Sequence, residues 1–102
     1  MTRVPLGKVN EFPIDVLCPI EIDGYSVGVV NTGGSFFAFS NYCPHLGAEL
    51  TGSQIYRREL QCWWHGSAFS LETGEVLSGP ASDPLKTYRV EVQGENVFVL
   101  KE

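Results

Sequence analysis

The chain has 102 residues, 43% of them hydrophobic and 19% charged. That is enough apolar material for one folded domain and too little length for a dinucleotide-binding domain plus a substrate domain. Seven Lys and Arg stand against twelve Asp and Glu, a formal charge of −5, which speaks against nucleic-acid or anionic-lipid surfaces and suits a partner that presents positive charge.

Apolar runs such as Phe36-Phe37-Ala38-Phe39 reach about four residues, far short of the roughly 18 that a spanning helix needs. No basic start with an apolar run follows Met1-Thr2-Arg3, so neither an export signal nor a membrane segment is expected and a cytoplasmic location is. In chain order, Asp15-Val16-Leu17 predicts a short helical turn that Pro19 stops. Ile20 and Ile22, then Val27 and Val29, alternate around Asp23-Gly24, the signature of a tight hairpin. Thr32-Gly33-Gly34-Ser35 makes a second turn into the strand Phe36–Phe39, and Tyr88, Val90, Val92 and then Val97, Val99 flank a third at Gly94-Glu95-Asn96. Alternation of period two with turns every eight to twelve residues predicts an all-β fold, a small antiparallel β-sandwich. Residues 1–102 are expected to form a single domain, with 1–40 and 85–102 as its β scaffold. Between them, residues 41–84 are rich in Gly, Pro, Cys, His and Trp; apart from a hairpin over Ala68–Val76 with its tip at Thr73-Gly74, this stretch reads as functional loops. No long amphipathic helix, internal repeat or low-complexity tract is visible.

Three cysteines, an odd number, do not suit a secreted disulfide framework. Cys18 stands alone between Leu17 and Pro19 and reads as a structural residue. The other two sit beside the only histidines: Cys43-Pro44-His45 and, sixteen residues on, Cys62-Trp63-Trp64-His65, each motif followed closely by a glycine, Gly47 and Gly66. Singly these are ordinary small hydrophobes and polar residues; together they form a matched donor set. Two thiolates and two imidazoles could hold one tetrahedral zinc or one [2Fe–2S] cluster. One thiolate and one imidazole per loop suits two metals side by side, and zinc remains the alternative.

The pattern Cys-x-His, sixteen residues, Cys-x2-His resembles that of Rieske proteins, in particular Rieske-type ferredoxins. Supporting matches are Cys43-Pro44-His45-Leu46-Gly47-Ala48, Cys62-Trp63-Trp64-His65-Gly66, Phe69, Thr73-Gly74 and Gly79-Pro80-Ala81. The resemblance implies one Rieske-type [2Fe–2S] cluster held by a loop-rich cluster-binding subdomain over 41–84. Cys43 and Cys62 would ligate the inner iron and His45 and His65 the outer one, with Gly79-Pro80 as a covering proline loop. High-potential Rieske proteins carry two further, disulfide-bonded cysteines; Ala48 and Trp64 stand at those positions here. Of the two hydroxyls such proteins place against the cluster, Ser67 supplies one and Phe69 cannot supply the other. A potential in the lower part of the Rieske range of about −150 to +300 mV is therefore expected.

Counting speaks against catalysis. No histidine remains for a mononuclear iron, and no Gly-x-Gly-x-x-Gly stretch offers flavin or nicotinamide binding. The resemblance then implies a one-electron carrier, not an enzyme: the ferredoxin of an aromatic-ring-hydroxylating dioxygenase, passing electrons from a flavin-containing reductase to a terminal oxygenase. The alternatives are the small subunit of an assimilatory nitrite reductase and a zinc-bound interaction module without redox role. Of Trp63 and Trp64, one is expected in the core and the other near the cluster or on a docking face. Leu46 and Pro80 are expected to cap the histidines, and Glu49, Glu59 and Asp83 to lie on a solvated surface at that end.

Overall fold

The computed structural model describes residues 2–44, 47–64 and 66–101. Its larger sheet is built from β1 (Thr2–Lys8), β2 (Cys18–Ile22), β3 (Tyr25–Thr32), β4 (Ser35–Ser40) and two strands from the far end of the chain. A smaller sheet over residues 54–78 contains β5 (Gln54–Tyr56), β6 (Glu59–Gln61), β7 (Ala68–Ser70) and β8 (Val76–Ser78), in that order. Strands β9 (Thr87–Gln93) and β10 (Asn96–Lys101) complete the larger sheet, whose order is β1-β10-β9-β4-β3-β2. All strand pairs are antiparallel. No helix among the described residues is long and apolar enough to cross a membrane.

The hairpin signals hold. Ile22 pairs with Tyr25 across Asp23-Gly24, whose φ values of 51° and 80° give the twist that a two-residue turn needs. Thr32 pairs with Ser35 and Gln93 with Asn96, so the last hairpin turns on Gly94-Glu95 and Asn96 already belongs to β10.

Two expectations are corrected. Asp15-Val16-Leu17 is not helical: Asp15 has φ +58° and donates its N–H to the Asn31 carbonyl at 2.8 Å, while Ile14 bridges Asn31, so the segment is pinned along the end of β3. The one described 3-10 turn is Val9–Glu11, where the Glu11 carboxylate accepts the Lys8 N–H at 2.6 Å. Nor is the expected Ala68–Val76 hairpin, present as β7–β8, the sole β structure of the central stretch, since β5 and β6 add a second hairpin to the smaller sheet. The β5–β6 hairpin turns on Arg57-Arg58, both in the left-handed region at φ 52° and 62°, a conformation that arginine does not signal in a sequence. Contacts from elsewhere hold it. Arg58 pairs with Glu72 at 3.0 Å, lies over the Phe37 ring at 5.8 Å and lends its carbonyl to the Leu71 N–H at 3.0 Å.

Alternation on β3 and β4 divides the interior in two. Val27, Val29 and Ala38 point into one core, to which all six strands of the larger sheet contribute, including Leu6, Val97 and Val99. The sheet curls around this core, and Lys101 on β10 reaches Asp23 at the β2–β3 turn to form an ion pair. Val30 and Phe39 point the other way, into a core shared with Leu50, Ile55, Leu60, Phe69, Leu71 and Leu85. Cys43 and Cys62 belong to this second core; Cys18, half-buried on β2, packs against the first.

Candidate metal centre

Strand β4 leads into the first cysteine loop through Asn41, whose surface is wholly buried. Its backbone N–H donates to the Ser26 carbonyl at 3.1 Å and its carbonyl accepts the Leu50 N–H at 2.9 Å. Its side-chain amide donates to Ser26 Oγ at 3.0 Å and Thr51 Oγ1 at 2.9 Å. One buried residue therefore ties both ends of the loop to β3.

From there the two cysteine loops are built alike. The Cys43 N–H donates to the Ala48 carbonyl at 2.7 Å, and the Cys62 N–H donates to the Ser67 carbonyl at 2.7 Å. In each, a backbone bond joins the cysteine to the fifth residue after it, and a glycine stands just before that residue, Gly47 at φ +77° and Gly66 at φ +74°. Space is not what demands glycine, because a Cβ would meet nothing within 4 Å at Gly47 and only Gln61 Nε2, at 3.8 Å, at Gly66. The left-handed backbone does.

The loops bring the two sulfurs together. Cys43 and Cys62 are 3% and 2% exposed and unbridged, and the Cys62 thiol donates to the Trp64 carbonyl at 3.0 Å. Burial pushes the Cys62 thiol up, and the neighbouring Cys43 sulfur, within hydrogen-bonding reach, adds to that. A bound metal displaces such protons into solvent, and two adjacent, water-excluded sulfurs fit the sulfur half of an iron–sulfur donor set. His45, Leu46 and His65 lie outside the described residues.

Around this pair, Ser67 has no exposed surface and its Oγ accepts the Ala81 N–H at 3.0 Å. That bond seats the Gly79-Pro80-Ala81 segment on the second loop, with Pro80 exposed and Ala81 buried. The expectation of a core tryptophan is corrected: Trp63 and Trp64 are 58% and 41% exposed and stack on each other with centroids 6.1 Å apart. Both lie in a turn rather than a strand, so period two does not separate them. Trp63 is nevertheless fixed in place. Its indole N–H donates to the Glu49 carbonyl at 2.6 Å and its backbone N–H to Ser53 Oγ at 3.1 Å, which ties the second loop to the first. Glu49, Glu59 and Asp83 are exposed, as expected, and Phe69 is fully buried. Reading by motif overlooked Asn41 and Ser53; a polar residue placed directly between an apolar strand and a cysteine motif was the available signal for Asn41.

The model of the Rieske [2Fe-2S] domain matches residues 2–89. The chain belongs to the Rieske [2Fe-2S] family. Its cofactor is one Rieske-type [2Fe–2S] cluster. Among curated relatives, the 3-phenylpropionate/cinnamic acid dioxygenase ferredoxin subunit of Escherichia coli (strain K12) is 37% identical over 76 residues, covering 72% of this chain and 70% of that protein. Apoptosis-inducing factor 3 of Homo sapiens is 34% identical over 80 residues, 78% of this chain; the match spans only 13% of that longer protein. Among solved structures, the ferredoxin of carbazole 1,9a-dioxygenase from Nocardioides aromaticivorans IC177 superposes with a TM-score of 0.93 at 29% identity, covering all of both chains. A complex of oxygenase and ferredoxin in carbazole 1,9a-dioxygenase contains a chain that matches at a TM-score of 0.89 and 26% identity, covering 95% of this chain and 91% of that one. This Rieske domain thus shares sequence with a dioxygenase ferredoxin subunit and fold with a dioxygenase ferredoxin.

Proposed function

We propose that this Rieske domain is the one-electron carrier of a multicomponent oxygenase, receiving electrons from a flavin-containing reductase and delivering them to a terminal oxygenase. One observation carries the reading: two loops closed by the same backbone bond bring Cys43 and Cys62 together in a dry core, each at the head of a motif that ends in histidine. In this reading Cys43, His45, Cys62 and His65 hold the cluster, the two cysteines on one iron and the two histidines on the other. When bound, the cluster supplies reversible storage of one electron. The chain itself excludes water from the sulfurs with Leu50, Leu60 and Phe69, fixes loop spacing through Asn41 and Trp63, and seats residues 79–81 on Ser67. Residues 41–84 act as the cluster-binding part, carried on a scaffold of 1–40 and 85–102. The buried Phe69 offers no hydroxyl, which favours a potential in the lower Rieske range. The dioxygenase ferredoxins among the relatives, one of them in complex with its oxygenase, support the choice of partners. Three free thiols suit a reducing cytoplasm.

The test is spectroscopic first. The purified protein is expected to be red-brown and to give an anisotropic rhombic EPR signal on reduction; a colourless protein with one equivalent of zinc overturns the reading. His45→Cys is expected to lower the potential by adding negative charge, and an unchanged potential removes His45 from the ligand set. A clearly positive potential in the unaltered protein refutes the lower-range placement. Turnover reconstituted with a dioxygenase reductase and oxygenase should depend on this chain; turnover restored only with a nitrite reductase overturns the choice of partners.

A further inference from the structure

Two adjoining recesses lie on the larger sheet, where the ends of β9 and β10 meet the start of β3. Neither is lined by any residue of 43–81. The outer recess measures about 600 Å³, inside the roughly 300–1,000 Å³ of small-molecule sites. Lys86, Arg89 and Lys101 stand on its wall, three of the seven basic residues in a chain of charge −5, with the hydroxyl-bearing Tyr25, Thr87 and Tyr88 between them. Asp23 neutralises Lys101. Lys86 lies 5.4 Å from the centroid of the Tyr88 ring, and among the described residues neither Lys86 nor Arg89 has an acidic partner. Two cations without an acidic partner among the described residues therefore line one recess at the end of β9. Behind it, a pocket of about 60 Å³ shares Tyr25, Tyr88 and Lys101 and adds the apolar side chains of Ile22, Val27 and Val99. At roughly 30 Å³ per water-sized group, it accepts a short apolar tip.

We propose that these recesses form one binding site for a small organic anion, a carboxylate or phosphate head on an apolar body. The head lies between Lys86 and Arg89, and the body reaches toward Ile22, Val27 and Val99. A bare inorganic anion would leave the apolar pocket unused, and an uncharged apolar molecule would make no use of the two cations. The polar wall is already set: Tyr25 is held by a hydrogen bond with Ser40. Burial pushes the Tyr88 phenol up. The site lies apart from the cysteine loops and stands independently of the electron-carrier reading.

Calorimetric titration of the cluster-loaded chain with phenylacetate and phenyl phosphate, beside acetate, inorganic phosphate and benzyl alcohol, tests this. At least one of the two amphipathic anions is expected to saturate a single site, about tenfold more tightly than its bare head group and than the alcohol, one buried apolar tip being worth about that factor. The tighter of the two identifies the head. Arg89→Gln, at an exposed position, is expected to weaken binding about fivefold, with the EPR signal of the cluster unchanged. The proposal is overturned by three results: no saturable binding of either anion, bare anions that bind as tightly, or an affinity that Arg89→Gln and Lys86→Gln both leave unaltered.

Discussion

Replacing Gly79 by alanine tests how firmly residues 79–81 are seated on the second cysteine loop. Gly79 has φ +96°, and a Cβ there would stand 2.5 Å from Ser67 Cα and 3.0 Å from Ser67 N and Oγ. These are mostly backbone atoms of a residue with no exposed surface, whose carbonyl also accepts the Cys62 N–H. Ser67 cannot swing aside, so the segment must retreat by about 1 Å to reach ordinary contact of about 3.5 Å. The left-handed backbone costs alanine about 1 kcal/mol. Stretching the Ala81 N–H to Ser67 Oγ bond costs about 1 kcal/mol more, and the overlap itself at least another 1 kcal/mol. A loss of about 3 kcal/mol lowers Tm by about 12 °C in a chain of this size. Gly94→Ala is the control: φ is +59° and a Cβ there meets no atom within 4 Å, so only the backbone term applies and Tm falls by about 4 °C. Far-UV circular dichroism melts at one scan rate compare the two. Equal shifts would refute the seating of residues 79–81 on Ser67.

Asn41→Ala removes the bonds to Ser26 and Thr51 from a fully buried site and is expected to cost about 2 kcal/mol in urea unfolding; a loss below about 0.5 kcal/mol would show that the side chain does not anchor the first loop. Arg57→Asn places a residue that tolerates φ of 52° in the β5–β6 turn, so a gain of about 0.5 kcal/mol is expected. Arg58→Asn gains nothing, because it gives up the Glu72 pair; stabilisation of equal size by both would contradict this. The hydrogen bond and charge of Lys101 hold the exposed Asp23 carboxyl below its usual 3.8. The pair's contribution is thus present above that value and lost as pH falls through the lower, folded-state one. NMR titration of Asp23 in Lys101→Met should show the midpoint returning toward 3.8; an unmoved midpoint refutes the pairing in solution.

What could be read without coordinates was local. Asp23-Gly24 and Gly33-Gly34 state their turns because their own backbone preferences suffice, and the alternation of Val27, Val29, Val97 and Val99 states the core face of each strand. The paired Cys-x-His and Cys-x2-His motifs, with Gly47 and Gly66 in matching places, were equally legible, because the donor chemistry and the left-handed backbone both reside in single residues. The tertiary structure decided whatever depends on a distant partner. Arg57 and Arg58 turn a hairpin that no turn residue announces, since Glu72, Phe37 and Leu71 hold it from outside. Asp15 abandons its helical turn because Asn31 accepts its N–H. Trp63, apolar enough for a core, stays at the surface because the Glu49 carbonyl captures its indole. In each case a hydrogen bond or ion pair between residues 14 or more apart outweighs a local preference of about 1 kcal/mol, and such a partner exists only once the chain has folded.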